Sequence, residues 1–535
     1  MLQCWREHSL KPDEDKIPRT MSTQHPDNVN VPEWSTDQVI DGNAEVYEAY
    51  YAYDILGCQE VMWDSEGKDV DTRVLRKLMD KHWSYFEKHI VGEDVFLTYR
   101  IPNPKIEAVE KKVVVETLQN IAMAYDAASS FYRKEVTPIF EVILPFTTDG
   151  KEPVWLYNYY KNAIVSVEDS LLDESTKAKD WVGATKPKHI SVIPLVEDFQ
   201  SILNIDRIVQ PYINLTKPKN LRVFIARSDP ALNYGLICAV LLSKIGLFKL
   251  KKIEKEQNIN IHPIIGVGSK PFRGHLSPEN TENFLEEYKG LATVTIQSAA
   301  RYDYPLAQVQ EFVKTLNSRL PNGEPETIET AEEKTLLNVL EKSRQQYECV
   351  AEVLAPLVNC ISPYVPQRRA RKLHIGLFGY SRSVAGVSLP RAIPFAASLY
   401  SIGVPPEFIG AKVLEELTDQ ESSILNKHYV NLKHDFASVG GYVSWENVNM
   451  LMEMHPKVAK RANMNIDTLR LALTRILADL KAVEEELDIK LGPRTLLQRK
   501  HENFTNNFLI SYLDGEDSEA KKALVEAAKL RKCLG

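Results

Sequence analysis

The chain has 535 residues, 44% of them hydrophobic, and a formal charge of −8 at pH 7. That is enough apolar matter for a large core, while the acidic balance and the lack of a basic tract argue against nucleic acid as the main partner. No apolar run is long enough to span a bilayer, the six cysteines are scattered with no CxxC pair, and the charged start Met1-Leu-Gln-Cys-Trp-Arg-Glu-His lacks a signal-peptide apolar region, so a cytoplasmic location is expected.

Short apolar, β-branched runs recur along the chain and read as buried strands of a parallel sheet. They are Gln59–Asp64, Val95–Arg100, Phe140–Thr147, His189–Glu197, Leu221–Asp229, Ile259–Gly266, Thr293–Gln297 and Leu373–Gly379. Helix-compatible segments separate most of them. Eight βα units predict an α/β fold, a closed (β/α)8 TIM-type barrel with its chemistry at the C-terminal strand ends. Polar residues just past the runs fit that rule: Asp64, Arg100, Glu197, Asp229, Arg273, Arg301 and Arg382. Periodicity alone leaves an open doubly wound sheet as the alternative.

Helical matter is inserted and appended. Residues 305–360 hold an amphipathic pattern too long for one barrel helix, and the sequence after Arg391 is almost wholly helix-like, as in Asp467-Thr-Leu-Arg-Leu-Ala-Leu-Thr-Arg-Ile-Leu. These stripes read as core packing or subunit contact. No Gly/Ser-rich linker divides the chain, so 1–535 is expected to be a single domain, with the barrel and an N-terminal active-site loop over about 20–396 and a helical part over about 397–535.

Glu197 and Asp229 each sit where a strand run stops. One strand-end acid is well explained as a cap for the next helix. Two carboxylates at the tips of neighbouring parallel strands, among several arginines, instead suit a hard cation such as Mg²⁺ or Mn²⁺.

Five segments, in order, resemble motifs of the phosphoenolpyruvate carboxylase family. Met21-Ser-Thr-Gln-His25-Pro-Asp-Asn28 resembles Thr-Ala-His-Pro-Thr, and Pro194-Leu-Val-Glu197 is similar to the metal-ligand motif Pro-Leu-Phe-Glu. Phe224-Ile-Ala-Arg-Ser-Asp229-Pro-Ala-Leu-Asn-Tyr-Gly235 is similar to the segment carrying the other ligand. Val294-Thr-Ile-Gln297-Ser-Ala-Ala-Arg301 and Ser388-Leu-Pro-Arg391-Ala-Ile-Pro-Phe resemble two further motifs. The short chain and the spelling Ser-Thr-Gln-His-Pro-Asp-Asn point to the compact, archaeal-type branch. The chain departs from long-chain members in the loop Gly266-Val-Gly-Ser-Lys-Pro-Phe-Arg273-Gly-His, where a His and an Arg are missing and Lys270 or His275 is the candidate replacement. The family's Lys and Asp near Asp229 correspond to Leu232 and Asn233, with Arg227 as an extra cation.

The resemblance implies carboxylation of phosphoenolpyruvate by bicarbonate to oxaloacetate and phosphate, through carboxyphosphate and a metal-stabilised enolate. It implies Glu197 and Asp229 as metal ligands, His25, Arg273 and Arg391 as catalytic residues, and a homotetramer built as a dimer of dimers. Arg100, Arg227, Lys270, Gln297, Arg301 and Arg382 are the candidate substrate contacts, since guanidinium groups grip phosphoryl and carboxylate oxygens bidentately. His25, which precedes the first run, is expected on a loop folded over the barrel mouth. Glu60, Asp64 and Glu66 are expected to orient arginines, and His262 and His374 to be core residues. The rival readings are another Mg²⁺-dependent phosphoenolpyruvate or pyruvate lyase or aldolase on the same barrel, and a non-catalytic helical scaffold.

Overall fold

The computed structural model describes residues 16–107, 109–370, 383–384 and 387–535. Eight parallel strands close into a ring in chain order. They are β1 (Thr20–Ser22), β2 (Glu60–Asp64), β3 (Phe96–Arg100), β4 (Glu141–Leu144), β5 (Ser191–Val196), β6 (Asn220–Ala226), β7 (Asn260–Gly266) and β8 (Thr293–Ile296). Helices follow the strands and cover the outer face, which is why most of these strands read as continuous apolar runs.

Seven of the runs read from the sequence are barrel strands. The remaining place belongs to Thr20–Ser22, which pairs with β2 through Met21↔Glu60 and with β8 through Thr20↔Val294. The run at Leu373–Gly379 lies outside the described residues, and the ring is complete without it. The β1–β8 pairing also rules out an open sheet. Three residues offer no period-two pattern to read. β1 is fixed instead by its two neighbours and by bonds such as Arg19 N to Gln59 Oε1 at 2.8 Å.

Alternation along each strand sends every second side chain into the barrel. The floor, at the N-terminal ends, is charged: Arg222 donates to Glu60 Oε2 at 2.6 Å and to Glu141 Oε2 at 3.0 Å. Above it lies an apolar layer of Met21, Met62, Ile143, Ile193, Leu195, Phe224 and Ile264. The next inward positions are Asp64 and Arg100, with Glu197 just past β5. A dry plug therefore seals the charged mouth from the floor.

Outside the ring, the helix Leu236–Gln257 is buried along most of its length and packs between β7 and the long helix Thr330–Ile361. It begins at Gly235, whose φ of +85° suits glycine and where a Cβ would stand 2.8 Å from the Tyr347 ring. Later helices, among them Ala392–Ser401, Ile466–Glu486, Leu496–Asp514 and Asp517–Arg531, form a shell over one side. One contiguous apolar cluster includes Val46, in the helix Gly42–Tyr50 that precedes β2, and Leu524, in the last helix. Among the described residues, Cys58, Cys238, Cys349, Cys360 and Cys533 are free thiols, and no helix is long and apolar enough to cross a membrane.

Candidate active site

A cavity of about 180 Å³ opens at the C-terminal mouth of the barrel. Glu197 stands one residue past β5, and Asp229 lies in the first turn of the helix Ser228–Tyr234 that follows β6. The register Leu195↔Phe224 and Val196↔Ile225 makes these strands neighbours, so both acids reach the same wall of the cavity. The Asp229 helix is held from outside by Tyr347, whose hydroxyl donates to Leu232 O at 2.6 Å. Leu232 is wholly buried, so this position faces the core.

Arg100 ends β3 and lines the cavity. It grips Asp64 bidentately, Nε to Oδ1 at 2.8 Å and Nη2 to Oδ2 at 2.6 Å, and its Nη1 lies 3.0 Å from Glu66. Burial alone would raise the Asp64 carboxyl, but Arg100 beside it holds it well below the usual carboxylate range. The same acids, with Glu197 further off, keep the buried Arg100 guanidinium charged. Asp64 and Glu66 thus orient an arginine, as expected, whereas Glu60 does so on the barrel floor.

Arg273 follows β7 in a short 3₁₀ turn, Pro271–Arg273. Its Nη1 donates to Asp27 Oδ2 at 3.0 Å and to Gly535 O at 2.8 Å, and its Nη2 donates to Gln297 Oε1. Both Arg273 and Gln297 line the cavity, as does Arg391, the residue that opens the helix Ala392–Ser401.

The other candidates are placed differently. Arg227 touches the cavity wall, but its guanidinium donates to Tyr288 Oη, Phe272 O and Pro271 O at 2.9–3.1 Å. It holds the turn that carries Arg273. Arg301 is buried away from the cavity, donating to Ser22 Oγ, Thr23 O and Glu48. Lys270 lies with its ammonium 5.4 Å from the centre of the Tyr442 ring, under the helical shell, and His275 bonds Asp435; neither lines the cavity. Arg382 and His374 lie outside the described residues. His262 is a strand residue of β7, 3.3 Å from Asn220 Oδ1.

His25 stands three residues past β1, so it follows the first strand rather than preceding it and is itself a strand-end residue. It lines the cavity, and its Nδ1 is 2.9 Å from Thr23 Oγ1. The segment around it is tied down on all sides. Thr23 N donates to Ile296 O, Asp27 Oδ1 accepts from Ala299 N at 2.7 Å, and Asp303 accepts from Val29 N and Asn30 N at 2.8 Å.

Sequence reading missed the stretch 365–369, which crosses the mouth and lines the cavity. Arg368 Nη2 donates to Val29 O at 2.6 Å, and Arg369 pairs with Glu48 and Glu45. Burial pushes the Glu48 carboxyl up, but Arg369 and Arg301 beside it bring it down to about 2. The segment has no periodicity, and its only signal is the Arg-Arg pair shortly after Pro366.

In a chain of net charge −8, the cavity wall concentrates cations. Arg100, Arg227, Arg273, Arg368, Arg369 and Arg391 line it, against the acids Glu66, Glu197 and Asp229. Such a wall suits a small polyanion. Glu197 and Asp229, from neighbouring strands, are hard oxygen donors on the same wall. Two adjacent carboxylates are the donor set that a divalent cation takes alongside an oxyanion substrate.

The family model for phosphoenolpyruvate carboxylase matches residues 17–535. A phosphoenolpyruvate carboxylase of Metallosphaera sedula is 45% identical, over 97% of this chain and 99% of its own length. Enzymes of the same name from Caldivirga maquilingensis and Picrophilus torridus are 44% and 43% identical, again over 97% of this chain and 99% of theirs.

Proposed function

The chain belongs to the phosphoenolpyruvate carboxylase family, in its compact archaeal-type branch, and from that premise we propose how its own residues carry out the carboxylation of phosphoenolpyruvate. The observation that carries the reading is the single cavity that sets Glu197, Asp229 and His25 among arginines. Phosphoenolpyruvate carries a phosphoryl group and a carboxylate, and both need cations. We assign Arg273, Arg391 and Arg100, which line the cavity, to take them, with Gln297 fixing the Arg273 fork.

Glu197 and Asp229 would hold a divalent ion, Mg²⁺ or Mn²⁺, which would supply Lewis acidity at the enol oxygen. The arginines hold the phosphoryl group in line for attack by bicarbonate, so the protein's work in this first step is positioning and charge neutralisation. Carboxyphosphate and the enolate of pyruvate result. His25 then accepts the proton of carboxyphosphate, releasing CO₂ against the enolate carbon to form oxaloacetate and phosphate. Thr23, bonded to the ring, sets the orientation of His25.

We assign the substrate contacts to Arg100, Arg273, Gln297 and Arg391, and a supporting role to Arg227, which holds the turn carrying Arg273, and to Arg301, which lies away from the cavity. The whole of 1–535 acts as one domain, and the assembly is a homotetramer. Apolar side chains exposed on one stretch, Trp155, Leu171, Trp181 and Val182, support subunit contact there.

The test is a coupled oxaloacetate assay with bicarbonate and the divalent metal each withheld. Oxaloacetate should appear only when both are present. Turnover of phosphoenolpyruvate without bicarbonate would point to a lyase or aldolase instead.

A further inference from the structure

A second cluster of metal-ligating groups lies outside the cavity, where the loop after β7 meets the helix Leu432–Gly440. His275, His434 and Asp435 each present one donor atom, and the three atoms lie within 4.8 Å of one another. His275 comes from the barrel loop, two residues past Arg273. His434 and Asp435 come from the first turns of the shell helix.

The surroundings are built around these donors. His275 has a left-handed backbone, φ +64°, and its Nδ1 lies 2.5 Å from Asp435 Oδ1. The other carboxylate oxygen of Asp435 accepts from Tyr429 Oη at 2.7 Å, which fixes the plane of the group. Asn280 donates through Nδ2 to His275 O at 2.9 Å, so its Oδ1 faces His434 Nε2, also at 2.9 Å. Two imidazoles, stacked with ring centres 5.6 Å apart, a carboxylate oriented from behind and an amide oxygen that also accepts from Asn283 Nδ2 at 2.9 Å therefore lie together where two separate elements meet.

We propose that His275, His434 and Asp435 form a second, non-catalytic metal site for a borderline transition-metal ion of the Zn²⁺ type. Imidazole nitrogens favour Zn²⁺ over Mg²⁺, and a His₂Asp set is typical of zinc ligation. Tyr429 is the outer-shell partner that such carboxylates use. The ion would take the ring nitrogens that now face Asp435 and Asn280, each neutral imidazole keeping its one proton on the other nitrogen. It would clamp the shell helix to the loop that carries Arg273. Because His434 is exposed, the ion can enter from solvent, and water completes its coordination.

The experiment uses the full chain, stripped of metal with a chelator and then saturated with Mg²⁺ to fill the carboxylate pair at the barrel mouth. Zn²⁺ alone is titrated against a chromophoric chelator, and thermal melting is followed with and without it. Wild type should bind one Zn²⁺ more per chain than His434→Gln, and Zn²⁺ should raise the melting temperature of wild type only. His434 is a surface residue, so the variant should melt like wild type when Zn²⁺ is absent. Asp435→Asn should lose the same equivalent. Equal Zn²⁺ stoichiometry in wild type and both variants would overturn the proposal, as would displacement of the extra Zn²⁺ by excess Mg²⁺.

Discussion

Arg273 Nη1 lies 3.0 Å from Asp27 Oδ2, and both side chains are buried. This ion pair joins the turn after β7 to the segment after β1, so the arginine and the histidine at the mouth are held in one frame. Asp27 also accepts from Ala299 N, which ties in the segment after β8.

Breaking the pair should therefore cost both stability and catalysis. Removing one partner of a buried ion pair leaves the other charge uncompensated, at about 3–5 kcal/mol. Asp27→Asn should lower the melting temperature by several degrees and reduce kcat/KM by at least about tenfold, the equivalent of ~1.4 kcal/mol. A variant that melts and turns over like wild type would show that Gln297 and the Gly535 carbonyl suffice to position Arg273.

Glu197→Gln and Asp229→Asn should each abolish activity while leaving the melting temperature close to wild type. Each removes one anionic oxygen from the pair on the cavity wall and keeps the shape of the side chain. Near-normal turnover at saturating Mg²⁺ in either variant would place the metal elsewhere.

His25→Asn separates the two halves of the reaction. If metal and arginines handle the attack on phosphorus, the variant should still consume phosphoenolpyruvate in a manner dependent on bicarbonate and metal. It should release phosphate and pyruvate with little oxaloacetate, because carboxyphosphate is hydrolysed instead of losing its proton to the base. Measuring all three products decides this: wild-type oxaloacetate yield would remove His25 from the base role, and loss of phosphate release would move it to the first step.

The acid side of the stability curve should carry the signature of His262. Burial, with Arg222 and Arg19 nearby, lowers its imidazole from 6.5 to about 4. Between those values the unfolded chain binds a proton that the folded chain excludes, so stability is full above pH 6.5 and falls as the pH drops towards 4. The loss from this group is on the order of 3 kcal/mol. Melting temperature measured from pH 7 to pH 4 should decline less steeply for His262→Gln than for wild type; parallel curves would assign the decline to other groups.

The proposed homotetramer predicts a mass of four chains by light scattering at micromolar concentration. Trp181→Glu, on the exposed apolar stretch, should shift that mass downward without lowering the melting temperature of the barrel. A monomeric wild type would sink the assembly.

Much of this architecture is legible in the sequence because buried parallel strands are written as apolar runs, and the residues that end them, Arg100, Glu197 and Asp229, stand out against those runs. β1 escapes because Thr20-Met-Ser is too short to show a period, although the histidine motif beside it was plain. Arg227 and Arg301 carry the residue type of a substrate contact, yet their guanidinium groups meet Pro271 O, Phe272 O and Thr23 O, and no local pattern tells a cation facing a ligand from one facing a carbonyl. Arg368 and Arg369 lie in a stretch without regular structure, so only the folded chain reveals that they hold Val29 and Glu48.

The seam between β1 and β8 has a consequence for the timing of synthesis. Thr20–Ser22 leaves the ribosome early, but its partner Val294–Ile296 is made only after more than half the chain, a delay on the order of tens of seconds at roughly 5–20 residues per second. Until then Met21 can pair only with β2, and the segment bearing His25 has neither Ile296 O nor Ala299 N to settle against. Catalytic competence should therefore arrive late and all at once during biogenesis, and nascent chains released before β8 should show no partial activity.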